Sequence, residues 1–127
     1  MFAKSMTDFL VENNFGILDK DIFINNLPSR VENSDIICVY DTPSYSIRGR
    51  ERNSVDFNCQ IRIRNDKNSK ASKIAFDIYN LLEKGAIQDS TGKRFTIRPL
   101  NPPSFLMYDE AGRVNWILNV TALSLNY

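Results

Sequence analysis

The chain has 127 residues, of which 43% are hydrophobic and 24% charged, and this composition predicts a single globular domain over residues 1–127 that needs neither disulfides nor metal to fold. Its formal net charge of +1 disfavours non-specific nucleic-acid binding as the main activity, because counterion release requires an excess of basic residues. The chain contains no histidine, which excludes Ser-His-Asp and Cys-His catalytic arrangements and paired-histidine zinc sites.

The first part of the chain predicts a short helix and two strands. The helix is expected to begin near Ser5 or Thr7, either of which can cap its first turn. Its apolar stripe consists of Met6, Phe9, Leu10 and Phe15. Residues 21–27 predict a strand that ends at Pro28, and the apolar run 36–40 predicts a strand covered on both faces.

A long polar segment follows, over residues 41–54. It holds the densest basic cluster of the chain, formed by Arg48, Arg50 and Arg52. A connection of this length in a compact domain is commonly either functional or mobile. We expect it to be mobile in the isolated subunit and to be ordered by a neighbouring molecule, although a solvated loop without a binding role explains the same composition.

The hydrophobic period changes once between residues 55 and 82. Apolar residues first alternate with polar ones, which are Asp56, Asn58, Gln60, Arg62 and Arg64. The later apolar residues follow helical spacing: Ala71, Ile74, Ala75, Ile78, Leu81 and Leu82. The change predicts a strand over 55–64 with one solvent-exposed face, then a helix over 69–84 that packs on the sheet through Ile74, Ile78 and Leu81. Asn68 or Ser69 is expected to cap this helix, and Gly85 to end it.

The last third of the chain predicts only strands and turns. Residues 88–93 form a turn, residues 95–98 a short strand, and three prolines then impose an extended passage. A hairpin closes the chain, with arms over 104–108 and 113–125. Trp116 is expected in the core, and the change of apolar phase at Leu123 indicates a bulge or a strand end covered on its other face. The predicted fold class is therefore α+β, with a mixed or antiparallel sheet and helices on one face.

Few residues suggest a catalytic, cofactor-binding or metal-binding role. Cys38 and Cys59 lie in apolar runs and are expected to be buried thiols rather than a disulfide or metal ligands. Asp41 and Asp56 are the least unfavourable carboxylate pair for catalysis, but no second motif accompanies them. We expect no catalytic residue, cofactor or metal. No apolar run approaches the roughly 20 residues that span a bilayer, and no secretory signal is evident, so we expect synthesis in the cytoplasm and no membrane contact.

The order of these elements resembles that of the tail terminator, or minor capsid, proteins of long non-contractile-tailed bacteriophages. The sharpest similarities are the segments Phe23-Ile24-Asn25-Asn26-Leu27-Pro28, Tyr40-Asp41-Thr42-Pro43 and Arg62-Ile63-Arg64-Asn65. The resemblance implies a structural virion protein at the head–tail junction. It implies a homo-oligomer, commonly a hexameric ring and possibly a monomer before assembly, which caps the tail tube protein, meets the head-connector protein and touches DNA only as it passes through the lumen.

The residues themselves leave three functions open. The first is the ring component, for which the expected subunit or tail-tube interface is Arg48, Arg50, Arg52, Arg62 and Arg64. The second is a carboxylate enzyme using Asp41 and Asp56. The third is a small nucleic-acid-binding module that uses the same arginines, with Tyr45 stacking on bases. Another head–tail connector or neck component is a close variant of the first.

Overall fold

The computed structural model describes residues 2–25, 36–42, 54–88 and 91–125. These ranges contain two helices, α1 (Phe2–Glu12) and α2 (Asn68–Leu82). They also contain seven strands: β1 (Ile22–Ile24), β2 (Ile36–Thr42), β3 (Ser54–Asn65), β4 (Ala86–Gln88), β5 (Arg94–Pro99), β6 (Ser104–Tyr108) and β7 (Val114–Leu125). The α+β class is confirmed, and the predicted bounds agree with most elements to within two residues.

The strands form one mixed sheet in the order β1-β2-β3-β7-β5-β4, and β6 pairs with β7 alongside β5. β1 runs parallel to β2, whereas the other pairs are antiparallel. β3 and β7 pair without interruption from Ser54–Leu125 to Asn65–Val114. The bulge considered near Leu123 is therefore absent from this pair, and the irregularity of the hairpin lies instead in β6, between Phe105 and Met107.

Both helices pack on one face of the sheet, over a single core cluster that includes Ile61, Ile63 and Leu118. The buried side of α2 consists of Ala71, Ala75, Ile78 and Leu82. The prediction was correct for Ile78, which is fully buried, and Ile74 also packs against the core cluster although it is only half-buried. Leu81 is half-buried. The buried line of α2 therefore includes two small alanine side chains, at positions 71 and 75, beside the two larger ones.

The start of α1 differs from the prediction. Ser5 and Thr7 lie inside the helix, and the Thr7 hydroxyl donates to the carbonyl of Ala3. The carboxylate of Asp41, on β2, instead accepts a hydrogen bond of 2.8 Å from the Ala3 N–H group. Asp41 Oδ2 also accepts from the amide of Asn25. Asp41 is thus held in a capping position by residues distant in sequence, and this arrangement gives it a structural role.

Three further differences concern local elements. β4 was not predicted, since the sequence indicated only a turn that begins at residue 88. Its three residues are too few to show the alternation of apolar and polar side chains that marks a strand. The first predicted strand is shorter, because Asn25 adopts a positive φ of 57° just after β1. Trp116, expected in the core, is half-buried and packs against the core cluster from its edge.

Candidate interaction surface

The hairpin of β6 and β7 is held by a network centred on Asp109, in its turn. Oδ1 of Asp109 accepts from the backbone N–H groups of Ala111 at 2.9 Å and Arg113 at 2.8 Å. Oδ2 accepts from Nε of Arg113 at 2.7 Å. Burial alone would raise the pKa of Asp109, but the hydrogen bonds and charge of Arg113 outweigh it and hold that pKa below its usual range. Gly112, at a φ of 80°, closes the turn with a conformation that L side chains rarely adopt.

All five residues of β6 are exposed. Four of them are large and hydrophobic, namely Phe105, Leu106, Met107 and Tyr108, with exposed fractions of 45%, 37%, 45% and 63%. No strand pairs with the outer edge of β6 within the described ranges. A free strand edge that also exposes consecutive apolar side chains is typical of a surface that another protein covers.

Aromatic side chains continue this surface across the helical face of the sheet. Phe105 lies opposite Trp116 in the β6–β7 register and contacts Tyr108, with ring centroids 5.2 Å apart. The Trp116 ring lies 6.2 Å from that of Phe76, on α2, and Phe76 is 40% exposed. We call Phe76, Phe105, Tyr108 and Trp116 the aromatic patch. It joins the outer side of α2 to the free edge of β6.

On the opposite face of the sheet, the same hairpin borders a cleft of about 540 Å³. Three arginines contribute to its wall, and we call it the arginine cleft. Its lining residues are Arg62, Arg64, Met107, Asp109, Glu110, Ala111, Arg113 and Asn115. The cleft thus carries more positive than negative side chains and shares Met107 with the exposed strand.

Arg62 and Arg64 occupy different environments in this cleft. The Arg62 guanidinium lies over the Tyr40 ring, 5.6 Å from its centroid, and its buried Nε has no hydrogen-bond partner among the described residues. Arg64 is only 2% exposed, which corrects the expectation that it lies on a solvent-exposed face. Burial, followed by the nearby charge of Arg113, lowers the pKa of Arg64. Burial also raises the pKa of Tyr40 to about 12.

The pairing of β3 with its two neighbouring strands explains why Arg64 is buried. Its neighbours across the strands are Ile36 on β2 and Asn115 on β7, both buried. Alternation along β3 places Arg64 correctly on the face opposite the helices, but it carries no information about the hairpin turn that folds toward that face. Of the predicted interface residues, the structure brings Arg62 and Arg64 together in one cleft. Arg48, Arg50 and Arg52 lie outside the described residues.

Sequence reasoning missed the aromatic patch and the exposure of β6, although a signal was present. Residues 105–108 are consecutively apolar without alternation and follow closely after two prolines. Such a run indicates either a fully covered strand or an exposed interface, and only the sheet order decides between the two.

The described residues offer little for other chemistry. They contain no group of three His, Cys, Asp or Glu residues that could hold a metal ion. Cys38 and Cys59 are buried free thiols, as predicted, and burial raises the pKa of Cys59. The two cysteines lie on opposite faces of the sheet. Cys38 pairs with Arg62 and so shares its face, whereas Cys59 is three positions from Arg62 on β3 and therefore lies on the other face. None of the helices in the described ranges is long and apolar enough to cross a membrane.

Comparisons with known proteins identify the relatives of this fold. A family model described as "Bacteriophage tail terminator protein" matches residues 9–124. No curated protein matches the chain. A solved structure whose name states no activity is 12% identical, covers 99% of this chain and 92% of its own, and superposes with a TM-score of 0.60. At that identity, the likeness concerns the fold alone.

Proposed function

Because this chain belongs to the bacteriophage tail terminator family, we propose that it forms a ring that ends the tail tube and joins it to the head connector. Family membership makes it a structural virion protein of the phage tail that interacts with other tail or head components. The ring, its position at the head–tail junction and its two partners are the proposed steps. The observation that best supports them is the free, apolar edge of β6, since a structural protein of this kind works through contacts with other subunits.

A closed ring needs heterologous contacts, in which each subunit offers two different surfaces. We propose a hexamer in which the arginine cleft, with Arg62 and Arg64, contributes to the contact with a neighbouring subunit or the tail tube. Arg48, Arg50 and Arg52 are proposed for the same role on sequence grounds. DNA would meet this protein only while passing through the lumen, and no cofactor is required.

Deletion and complementation in the phage test the function. Infection without this protein should yield overlong tails that do not join to heads, and the wild-type gene supplied in trans should restore normal virions. Tails of normal length that fail to join would instead indicate a neck component, because a neck protein does not limit tube growth. Normal virions from the deletion would overturn the proposed function.

The arginine assignment is tested separately. Charge reversal of both Arg50 and Arg52 should leave the subunit folded, with an unchanged melting temperature, but should produce overlong or unjoined tails. Reversal of Lys84, an exposed cation just after α2, serves as the control and should complement normally. Normal tails from the double reversal would remove these arginines from the interface without affecting the function.

A further inference from the structure

We propose that the β6 edge of one copy of this chain binds a specific corner of the next copy, the turn between α1 and β1. This inference rests on the proposed ring and identifies the subunit contact that closes it. The corner consists of Glu12, Ile17, Leu18, Asp19 and Asp21, and we call it the acidic corner.

The acidic corner combines exposed apolar side chains with carboxylates. Ile17 is 58% exposed and Leu18 is 40% exposed, so two consecutive aliphatic side chains are left in contact with water. Glu12 and Asp19 are exposed in the same turn, and so is the cation Lys20. This composition complements the β6 edge, which offers apolar side chains next to the arginine cleft.

The backbone of the acidic corner is also held by local hydrogen bonds, which reduces the conformational entropy lost when it binds. The backbone N–H of Asp21 donates to the Ile17 carbonyl over 2.9 Å, and Asp21 Oδ2 accepts from the Ile17 N–H over 3.2 Å. Gly16 is required here, because a Cβ at this position would lie 2.8 Å from the Cβ of Asp21. The turn therefore presents Ile17 and Leu18 on a fixed backbone.

The acidic corner and the β6 edge lie far apart across the width of the sheet, in the direction that runs from strand to strand. The acidic corner is attached to β1, the first strand of the order, while β6 lies beyond β2, β3 and β7. Four inter-strand spacings separate them, or about 19 Å at the usual spacing of ~4.8 Å. Because of this distance, the acidic corner and the β6 edge of the same copy cannot contact each other. A contact between them joins different copies head to tail, and this geometry generates a ring when the rotation between successive copies closes.

Each part of the contact has a stated partner. Leu106, Met107 and Tyr108 would cover Ile17 and Leu18, and this apolar contact removes both exposed groups from water. Arg62, half-buried in the arginine cleft beside Met107, would face the carboxylates of the acidic corner, because Arg64 is buried and Arg113 is already paired with Asp109. Since both surfaces are present on every copy, a second copy of this chain satisfies apolar and charge complementarity together.

Site-directed crosslinking in assembled tails tests the contact. Leu18→Cys and Leu106→Cys are introduced singly and together, and tails are treated with a short bis-maleimide. The double variant should give a ladder of crosslinked subunits, whereas each single variant should give none. The control pair, Lys84→Cys with Leu106→Cys, should give none, because Lys84 lies on neither surface. Crosslinking of Leu106→Cys alone would overturn the proposal in favour of a two-fold symmetric contact.

A mixing experiment provides an independent test by light scattering. Ile17→Asp leaves the β6 edge intact, and Leu106→Asp leaves the acidic corner intact. Under conditions where the wild type forms rings, each variant alone should remain monomeric, and a 1:1 mixture should give dimers but no rings. Full rings from either variant alone would overturn the contact.

The two proposals fail in different ways. Absence of the Leu18–Leu106 crosslink in tails of normal length would overturn the contact and leave the tail-terminating function standing. If deletion of the protein left tails normal, both proposals would fall. Circular dichroism of each variant shows that it is folded before either result is interpreted.

Discussion

The indole Nε1 of Trp116 donates a hydrogen bond of 2.9 Å to Oδ1 of Asn68, the first residue of α2. Asn68 or Ser69 was expected to cap this helix, but both residues lie inside it, and the side chain of Asn68 is directed to β7. The N-cap is Lys67, whose side chain makes no capping bond, and the Lys67 N–H donates to Oδ1 of Asn65. The Asn68–Trp116 bond thereby fixes the start of α2 on the sheet and holds the indole beside Phe76 in the aromatic patch.

Asn68→Ala should lower the free energy of unfolding by about 1 kcal/mol, the usual net value of one hydrogen bond. For a domain of this size, that loss corresponds to a decrease of about 4 °C in melting temperature. Asn80→Ala, at an exposed position of the same helix, is the control and should change melting much less. In a double-mutant cycle with Trp116→Phe, the Asn68 effect should largely disappear. Equal effects in both backgrounds would show that the bond contributes nothing to stability.

Ile78→Asp should unfold the domain. Ile78 is fully buried between α2 and the sheet, and an unpaired charge there costs several kcal/mol against a total stability of roughly 5–15 kcal/mol. Asn80→Asp introduces the same charge at an exposed position two residues away and should remain folded. Far-ultraviolet circular dichroism and thermal melting give the comparison. A cooperative melt of Ile78→Asp at the wild-type temperature would contradict the assigned helix face.

The hairpin turn should be sensitive to acid. The pKa of Asp109 is lowered in the folded state, so its contribution to stability is fully present above the unfolded pKa of about 4 and is lost as the pH falls through the folded pKa. Asp109→Asn removes this charge while keeping an oxygen that can accept from Ala111 and Arg113. The difference in melting temperature between wild type and variant should be largest near pH 7 and shrink below about pH 4. A constant difference across this range would show that the charge of Asp109 is not involved.

The native cysteines should resist alkylation. Cys59 is 1% exposed and Cys38 fully buried, and burial raises the pKa of the Cys59 thiol, so little thiolate is available at pH 8. Iodoacetamide should label neither residue in the native protein but both in denaturant, as read by intact mass. Rapid native labelling would reveal local opening of β2 or β3. This inertness also leaves introduced cysteines as the reactive ones in the crosslinking test.

The spacing of apolar residues was sufficient to predict those helices and strands in which one face is buried. The alternation along β3 and the helical spacing of α2 predicted both elements, because each has one face on the core. The hairpin turn was also predictable, since Asp109 and Gly112 supply the side-chain acceptor and the positive φ that it needs. The resemblance to phage tail terminators rested on such elements in order, and the family match supports it.

Contacts between distant segments were decided only by the tertiary structure. Asp41 caps α1 from β2, and the turn at Asp109 lines the same cleft as Arg64, so neither arrangement appears in the local sequence. The same holds for β6, whose apolar run predicts a strand but not its place at a free edge. A period reports which residues of one element share a face, whereas burial depends on which other element covers that face. For that reason the sequence by itself determined the elements of this protein, and the packing of the sheet decided which apolar and charged side chains remain available to a partner.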